Sequence, residues 1–409
     1  MGYRLAGFRV IVQAECEEDR AAVGQANFLD STWIVDDVCR SHDQIVKAYR
    51  NRTKARLALL VATPPCQGMS SSNPSRGKRS TPKAALQESK NRLLLEIVPI
   101  ALALKPRVIV CENVRQILTL HVCAGGLDVR LIDGLRTGLP EYEFYETVID
   151  VADYGIPQHR LRAVVVGVHQ NEPWLVKMRE RGRVPWPKRT HGQTGQKRRL
   201  WITLRQWFRA MRYPSLSAQS PELAKNGHPL HFVPHYDAHR FGLLEDIPAH
   251  SAQSAYQNKT CRACGFRTVP DGMAVCPQCH EPMWNRPIVK NRKGARLIKG
   301  FASSYRRMRS DEPAPTVTTN SSHVGSDNKI HPWEPRVLSV LEAADLQTVP
   351  RFYDWSPALD ARKSYLVRNV IGEALPTYFT YLHGCILARL LRGDDSVLSR
   401  LEQRAEDRA

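Results

Sequence analysis

The chain has 409 residues, 42% of them hydrophobic, which supports conventional buried cores in two or three domains and excludes disorder along its whole length. No stretch approaches the roughly 20 uninterrupted apolar residues of a membrane span. The N-terminus lacks the basic-then-apolar build of a signal peptide, so a cytoplasmic location and no membrane partner are expected. Lys and Arg number 59 against 40 acids, a formal charge of +19 that attracts a polyanion before any specific contact forms. Nucleic acid is the first partner this suggests, and a soluble protein with basic tails is the plainer alternative.

In chain order, FRVIVQAE reads as a strand, EEDRAAVGQANF as an amphipathic helix, RLALLVATPP as a strand, LLLEIVPIALAL as a helix and RVIVCENV as a strand. Strands alternating with helices predict a parallel sheet covered on both faces, with ligands at the carboxyl ends of its strands. A further strand, RAVVVGV, spans 162 to 168. From about Arg181 to Arg209 the chain is basic, with Trp186, Trp201, Trp207 and Phe208 interleaved. Rings among cations suit nucleic acid, and anchoring tryptophans in a mixed basic surface suit the pattern equally. The histidines from His228 to His250 lack ligand spacing and read as solvated loop residues. A strand-like APTVTT, a helix in PRVLSVLEAADLQ and a long buried helix from Ile371 onward complete the chain, with a frayed RAEDRA end.

Cys66 stands in TPPCQGMSSSN, directly after an apolar strand. Pro64 and Pro65 stiffen the approach and exclude helix, presenting the thiol on a shaped loop, as suits a nucleophile. Alone, the segment fits a buried cysteine in a turn better. Glu112 and Asn113 follow the next strand in the same way, and Gln158, Arg160 and Arg162 alternate so that an extended chain projects all three to one face. Such a pair of cations is usually a surface patch; on a third strand of one cluster it becomes a candidate site.

Ten cysteines include two tight pairs, CRAC and CPQC, with the other six scattered, a pattern for a reducing compartment with one metal site. Cys261 and Cys264 are separated by two residues, as are Cys276 and Cys279, with eleven residues between the pairs. Four thiolates so spaced converge on one zinc ion in a ribbon. Gly265 supplies the freedom the first knuckle needs. A structural role is the expected one, because zinc provides much of a small module's folding energy.

With TPPCQ, CENV, QHRLR, YRRMRSDEPAPTVTT, RVLSVLEAADLQ and NVIGEALP in register, the sequence resembles the cytosine-5 DNA methyltransferases along nearly its whole length. The resemblance implies an α/β, doubly wound Rossmann-like methyltransferase sheet. It assigns Cys66 to attack on carbon 6 of cytosine, Glu112 to nitrogen 3, and Arg162 with Arg160 to the base oxygen and nearby phosphate. Pro65, Gln67, Asn113 and Gln158 are expected to support the loop. The implied cofactor is S-adenosyl-L-methionine, with Glu15 at the ribose, Asp37 and Val38 at the adenine, and Asn369 and Gly372 closing the pocket. Many relatives carry asparagine after that glycine; here it is Glu373.

The expected organisation is a catalytic domain from 1-185 and 331-409, with a target recognition domain at 186-330 that holds the zinc ribbon 261-279. Expected partners are double-stranded DNA, whose target base must flip out to be reached, and a cognate restriction or defence nuclease. A tRNA cytosine-5 methyltransferase and a non-catalytic DNA-binding remnant are the alternatives. In the family, a strand and a glycine-rich F-x-G-x-G-G turn precede the segment matched by GYRLAGFRVIVQAE. The expectation is a gene start set too far downstream, with true truncation as the competing account.

Overall fold

The structure, a computed structural model, describes residues 1–65, 92–124, 127–194, 198–300, 303–326, 329–361 and 363–400, so Cys66 and Gln67 lie outside the described residues. Its first elements are helix α1 (Gly2–Leu5), strand β1 (Val12–Glu15), helix α2 (Glu18–Asn27), strand β2 (Thr32–Val35) and helix α3 (Val38–Arg52). β1 and β2 pair in parallel, Glu15 opposite Val35. Strands β3 (Leu59–Ala62), β4 (Val108–Asn113), β5 (His121–Ala124), β6 (Leu127–Arg130), β7 (Tyr142–Asp150) and β8 (Leu161–His169) follow. Four of them form one sheet in the order β3-β4-β8-β7, while β5 and β6 make a separate hairpin. α3 joins the two parallel pairs, for Ile45 and Val46 pack with Val12 and Ile34 and with Leu60.

The sheet is mixed, where a parallel one was expected. Only a short segment separates Asp150 from Leu161, and a parallel crossover needs a dozen residues or more, so β8 returns antiparallel to β7 and to β4. The Rossmann-like layering survives because both faces of the central strands are covered. Val108, Val110, Val164 and Val166 pack against Trp174, Phe379 and Leu387. The alternate residues Ile109, Cys111, Ala163 and Val165 pack against Leu94, Leu131 and Leu135. The period of two along a strand buried on both sides explains these near-continuous apolar runs.

A single long helix from Ile371 is not what forms. One helix spans Ser364–Glu373 and a second Thr377–Leu391, with Ala374 extended between them. Pro376 causes the break, having no N–H to donate and disfavouring helix at Leu375 before it. APTVTT contributes an isolated bridge from Ala314 to Gln158, not a strand. PRVLSVLEAADLQ becomes the helix Val340–Leu346, started by a capping box between Ser339 and Glu342.

Downstream of β8, Leu204, Phe208 and Leu230 enter one core with Val317, Leu338, Val367 and Ile371. Trp186 and Phe208 are buried, which makes them core anchors in the basic stretch. His231 is also buried, hydrogen-bonded to Ser339 Oγ at 3.0 Å and to the Pro214 carbonyl at 2.9 Å, and differs there from a solvated loop residue. Among the described residues no helix is long and apolar enough to cross a membrane.

Candidate active site and metal centre

Three strand ends meet at one edge of the four-stranded sheet. β3 leaves through Thr63 and Pro64 to the exposed Pro65, immediately before Cys66. Its parallel register, Ala62 opposite Cys111, puts that exit beside Glu112 at the end of β4. β8 begins there from the other side, with Asn113 opposite Ala163 and Glu112 opposite Val164. Asn113 donates from Nδ2 to the Pro64 carbonyl at 2.9 Å, and its Oδ1 accepts from Val114 N–H at 2.8 Å. The end of β4 is thereby tied to the backbone two residues before Cys66.

Glu112 is buried, and Arg162 Nε lies 3.1 Å from its Oε1. The contact is an ion pair by distance without hydrogen-bond alignment, and Oε1 has no aligned donor among the described residues. Burial raises the Glu112 pKa above the usual carboxylate range, while Arg162 and then Arg160 oppose the shift. The carboxyl is thus disposed to keep a proton longer than an exposed glutamate, with a cation at hand.

The two arginines of QHRLR diverge. Arg162 stays near Glu112 and donates from Nη1 to the Leu161 carbonyl at 2.8 Å. Arg160 is fully buried and donates to three carbonyls: from Nη1 to Val317 at 2.9 Å, and from Nη2 to Gly372 at 2.8 Å and Glu373 at 3.1 Å. Gln158, also fully buried, donates from Nε2 to the Leu346 carbonyl at 3.1 Å and accepts from Val317 N–H at 2.8 Å. Both side chains bind the C-terminal segments to the start of β8.

Of the residues expected at the cofactor, Gly372 stands at this junction with its carbonyl on Arg160, and Glu15 lies near Glu373. Glu15 ends β1 and accepts from Glu17 N–H at 3.0 Å. Glu373 forms a 3.0 Å ion pair with Arg20 of α2; burial raises its pKa, Arg20 opposes this, and the nearby Glu15 and Glu17 add to it. Glu373 thus joins α2, through Arg20, to Arg160, which donates to its carbonyl. Gly372 is required by close approach: a Cβ there would lie 2.3 Å from Thr319 N and 2.4 Å from the Thr318 carbonyl carbon. Asp37 caps α3 by accepting from Cys39 N–H at 2.9 Å, and that bond is the chief cause of its lowered pKa; Val38 packs beside Ile45 and Val46. Asn369 is half-buried on the helix Ser364–Glu373.

The four ribbon cysteines converge. Their Sγ atoms all lie within 4.8 Å of one another, with Cys261 to Cys279 and Cys264 to Cys276 both 3.7 Å. Four thiolates around zinc at about 2.3 Å stand roughly 3.8 Å apart in a tetrahedron. A disulfide would need about 2.05 Å. The knuckles repeat one turn: Gly265 N–H donates to the Cys261 carbonyl and His280 N–H to the Cys276 carbonyl, and both residues have positive φ, 77° and 60°. Val269 and Met283 supply a very small core beside the cysteines, as expected of a module that depends on metal.

A family model described as C-5 cytosine-specific DNA methylase matches residues 1–381. The chain belongs to that family. Type II methyltransferase M1.HgaI of Avibacterium volantium is 25% identical over 382 residues, covering 90% of this chain and 89% of that protein. Type II methylase M.HgiDII of Herpetosiphon aurantiacus is 27% identical over 335 residues, covering 82% and 77%. In three dimensions the chain resembles the methyltransferase EhMeth of Entamoeba histolytica with a TM-score of 0.51 at 13% identity, covering 96% of this chain and 95% of that one. The C-5 methylases are enzymes of DNA methylation, and this chain is read as one.

Sequence reasoning missed several residues that build the site. Arg20, Gln347 and the Thr318–Thr319 backbone hold NVIGEALP, the late motif, in place; Gln347 donates from Nε2 to the carbonyls of Ile371 at 2.6 Å and Ala374 at 3.0 Å. Tyr3, close enough to Glu112 to feel its charge, donates to or accepts from His383 Nδ1 at 3.1 Å. The final glutamine of AADLQ was the available signal for Gln347; nothing local marks the others.

Proposed function

We propose that the chain methylates carbon 5 of a cytosine flipped out of duplex DNA, with Cys66 as nucleophile. The observation that carries this reading is the buried Glu112, paired with Arg162 at 3.1 Å beside the Pro64–Pro65 exit that leads to Cys66. Carbon 5 of cytosine is a weak nucleophile. Bonding of the Cys66 thiolate to carbon 6 displaces the ring double-bond electrons toward nitrogen 3, where the Glu112 carboxyl meets the growing charge with a hydrogen bond. Arg162 keeps that carboxyl oriented and counters charge at the neighbouring base oxygen. S-adenosyl-L-methionine, when bound, supplies the methyl group. After carbon 5 has taken it, loss of the carbon 5 proton returns the electron pair and expels the Cys66 thiolate.

Arg160 and Gln158 act as positioning residues, and Asn113 braces the Cys66 loop. Glu15, Asp37, Val38, Asn369 and Gly372 are assigned to the cofactor. Glu15 offers a carboxylate at a strand end for paired hydroxyls, and the Gly372 backbone stands where a side chain would close the junction. We assign 186-330 to target recognition, the zinc to its stability, and the cellular setting to cytoplasmic restriction-modification or phage defence with a partner nuclease.

Two measurements test the reading. Cys66→Ser should abolish incorporation of tritiated methyl into duplex DNA while DNA affinity stays within a few-fold; turnover retained in the serine variant removes Cys66 from the mechanism. DNA carrying 5-fluorocytosine should trap a covalent adduct with the parent protein. Incorporation into tRNA in preference to duplex DNA would replace the DNA substrate.

A further inference from the structure

The strands Ile288–Asn291 and Gly294–Leu297 form an antiparallel hairpin beside the cysteine ribbon. With Asn291 opposite Gly294, Arg292 and Lys293 occupy the two turn positions. Lys293 N–H donates to Asn291 Oδ1 at 2.9 Å, and Gly294 adopts φ 112°, so the tip has a defined shape. From Ile288 to Gly300 the sequence holds Lys290, Arg292, Lys293, Arg296 and Lys299 and no acid. All of these cations are exposed, and none is ion-paired among the described residues. Arg262, on the ribbon itself, has a different fate: it meets Glu245 and Asp246, each at 2.8 Å.

The hairpin is mounted firmly. Arg286, fully buried just before it, donates to the carbonyls of Asn258 at 2.7 Å, Val269 at 3.0 Å, Pro270 at 2.8 Å and Met273 at 2.7 Å, on segments that carry the ribbon. At the far end, Ile298 N–H donates to the Pro287 carbonyl and Tyr256 Oη to the Ile298 carbonyl, both at 2.9 Å. Lys290 lies over the exposed Trp284 ring, 5.9 Å from its centroid, which holds that cation in place without neutralising it.

Unpaired cations on a braced two-stranded ribbon match one partner chemistry. A major groove about 12 Å wide admits such a ribbon, and the phosphates on its walls supply the complementary anions. We propose that the hairpin 288–297 is an arm that grips duplex DNA beside the target cytosine, lying in the major groove with Lys290, Arg292, Lys293 and Arg296 on the phosphates of its walls. This rests on the DNA methyltransferase reading above and adds to it the element that makes the grip.

The test compares the full-length parent with Lys290→Gln/Arg292→Gln/Lys293→Gln/Arg296→Gln and with the tip pair Arg292→Gln/Lys293→Gln, whose side chains leave an exposed turn. Affinity for a duplex oligonucleotide is measured against salt, with methylation kinetics on the same DNA. Each phosphate-binding cation removed should reduce the slope of log K against log salt by about 0.9, so the fourfold variant should fall short of the parent by roughly 3 to 4 units and bind at least about tenfold more weakly near physiological salt. The kinetic effect should fall on KM for DNA, with the tip pair showing about half the change in slope. An unchanged slope and KM in either variant, with parental thermal stability, overturns the arm. If the parent itself fails to methylate duplex DNA, the functional reading fails, and the hairpin proposal falls with it.

Discussion

Replacing Arg160 by lysine keeps a positive charge and removes the planar fork, which separates a clamp from a group that works on substrate. Arg160 serves the carbonyls of Val317, Gly372 and Glu373 at 2.8 to 3.1 Å from a fully buried position. One ammonium, with a different reach and no fork, satisfies at most about one of them. Two buried carbonyls left without this donor cost about 1 to 3 kcal/mol each, or roughly 4 kcal/mol together. In a chain of 409 residues a destabilisation of that order lowers Tm by about 5 °C. Arg162→Lys should behave differently. Its side chain holds one ion pair and one carbonyl at the surface of the site, so Tm should move by less than about 3 °C while the methylation rate on saturating DNA falls at least about a hundredfold. Thermal unfolding by calorimetry, with single-turnover methylation at a temperature where all proteins are folded, makes the comparison. An Arg160→Lys protein with parental Tm and no methylation would refute the clamp and put Arg160 at the base.

Glu112 sets a pH test. A carboxyl whose folded pKa is raised contributes stability that is fully present below its unfolded value and is lost as pH rises through the folded value. The Tm difference between Glu112→Gln and the parent should therefore shift in the glutamine variant's favour on going from acid to neutral pH, and a difference independent of pH would show that the folded state does not raise the Glu112 pKa. For the ribbon, elemental analysis should find one zinc per chain. Cys276→Ser should release it and raise amide exchange across residues 255 to 285 with the central sheet protected; zinc-free pure protein, or full retention by the mutant, removes the metal assignment.

The parts legible in the sequence are those whose cause is local. β4 and β8 announce themselves as apolar runs because alternate side chains pack on opposite faces, and Ser339 with Glu342 marks a helix start three residues apart. The ribbon is legible for the same reason, since each knuckle closes within a few residues on Gly265 or His280. The break at Pro376 was equally local, and apolar spacing on both sides of it concealed it.

Whether a side chain works on a ligand or on the fold is settled by groups far along the chain, and there the sequence pattern has nothing to say. Gln158, Arg160 and Arg162 share one alternation, yet Val317, Leu346 and Gly372, more than 150 residues away, capture the first two. Arg162, two positions further along the same chain, is left beside Glu112. Gly372 shows the same logic from the other side. Its lack of a side chain reads locally as a helix-weakening residue, and its cause is the Thr318–Thr319 backbone pressed within 2.4 Å of where a Cβ would sit. That contact, with Arg160 holding the Gly372 and Glu373 carbonyls, joins the late motif to the start of β8. A functional group at the edge of this sheet can therefore be recognised from its strand-end position, whereas its partner set requires the packed chain, and the contrast between Arg160→Lys and Arg162→Lys tests that distinction at two residues the sequence alone treats alike.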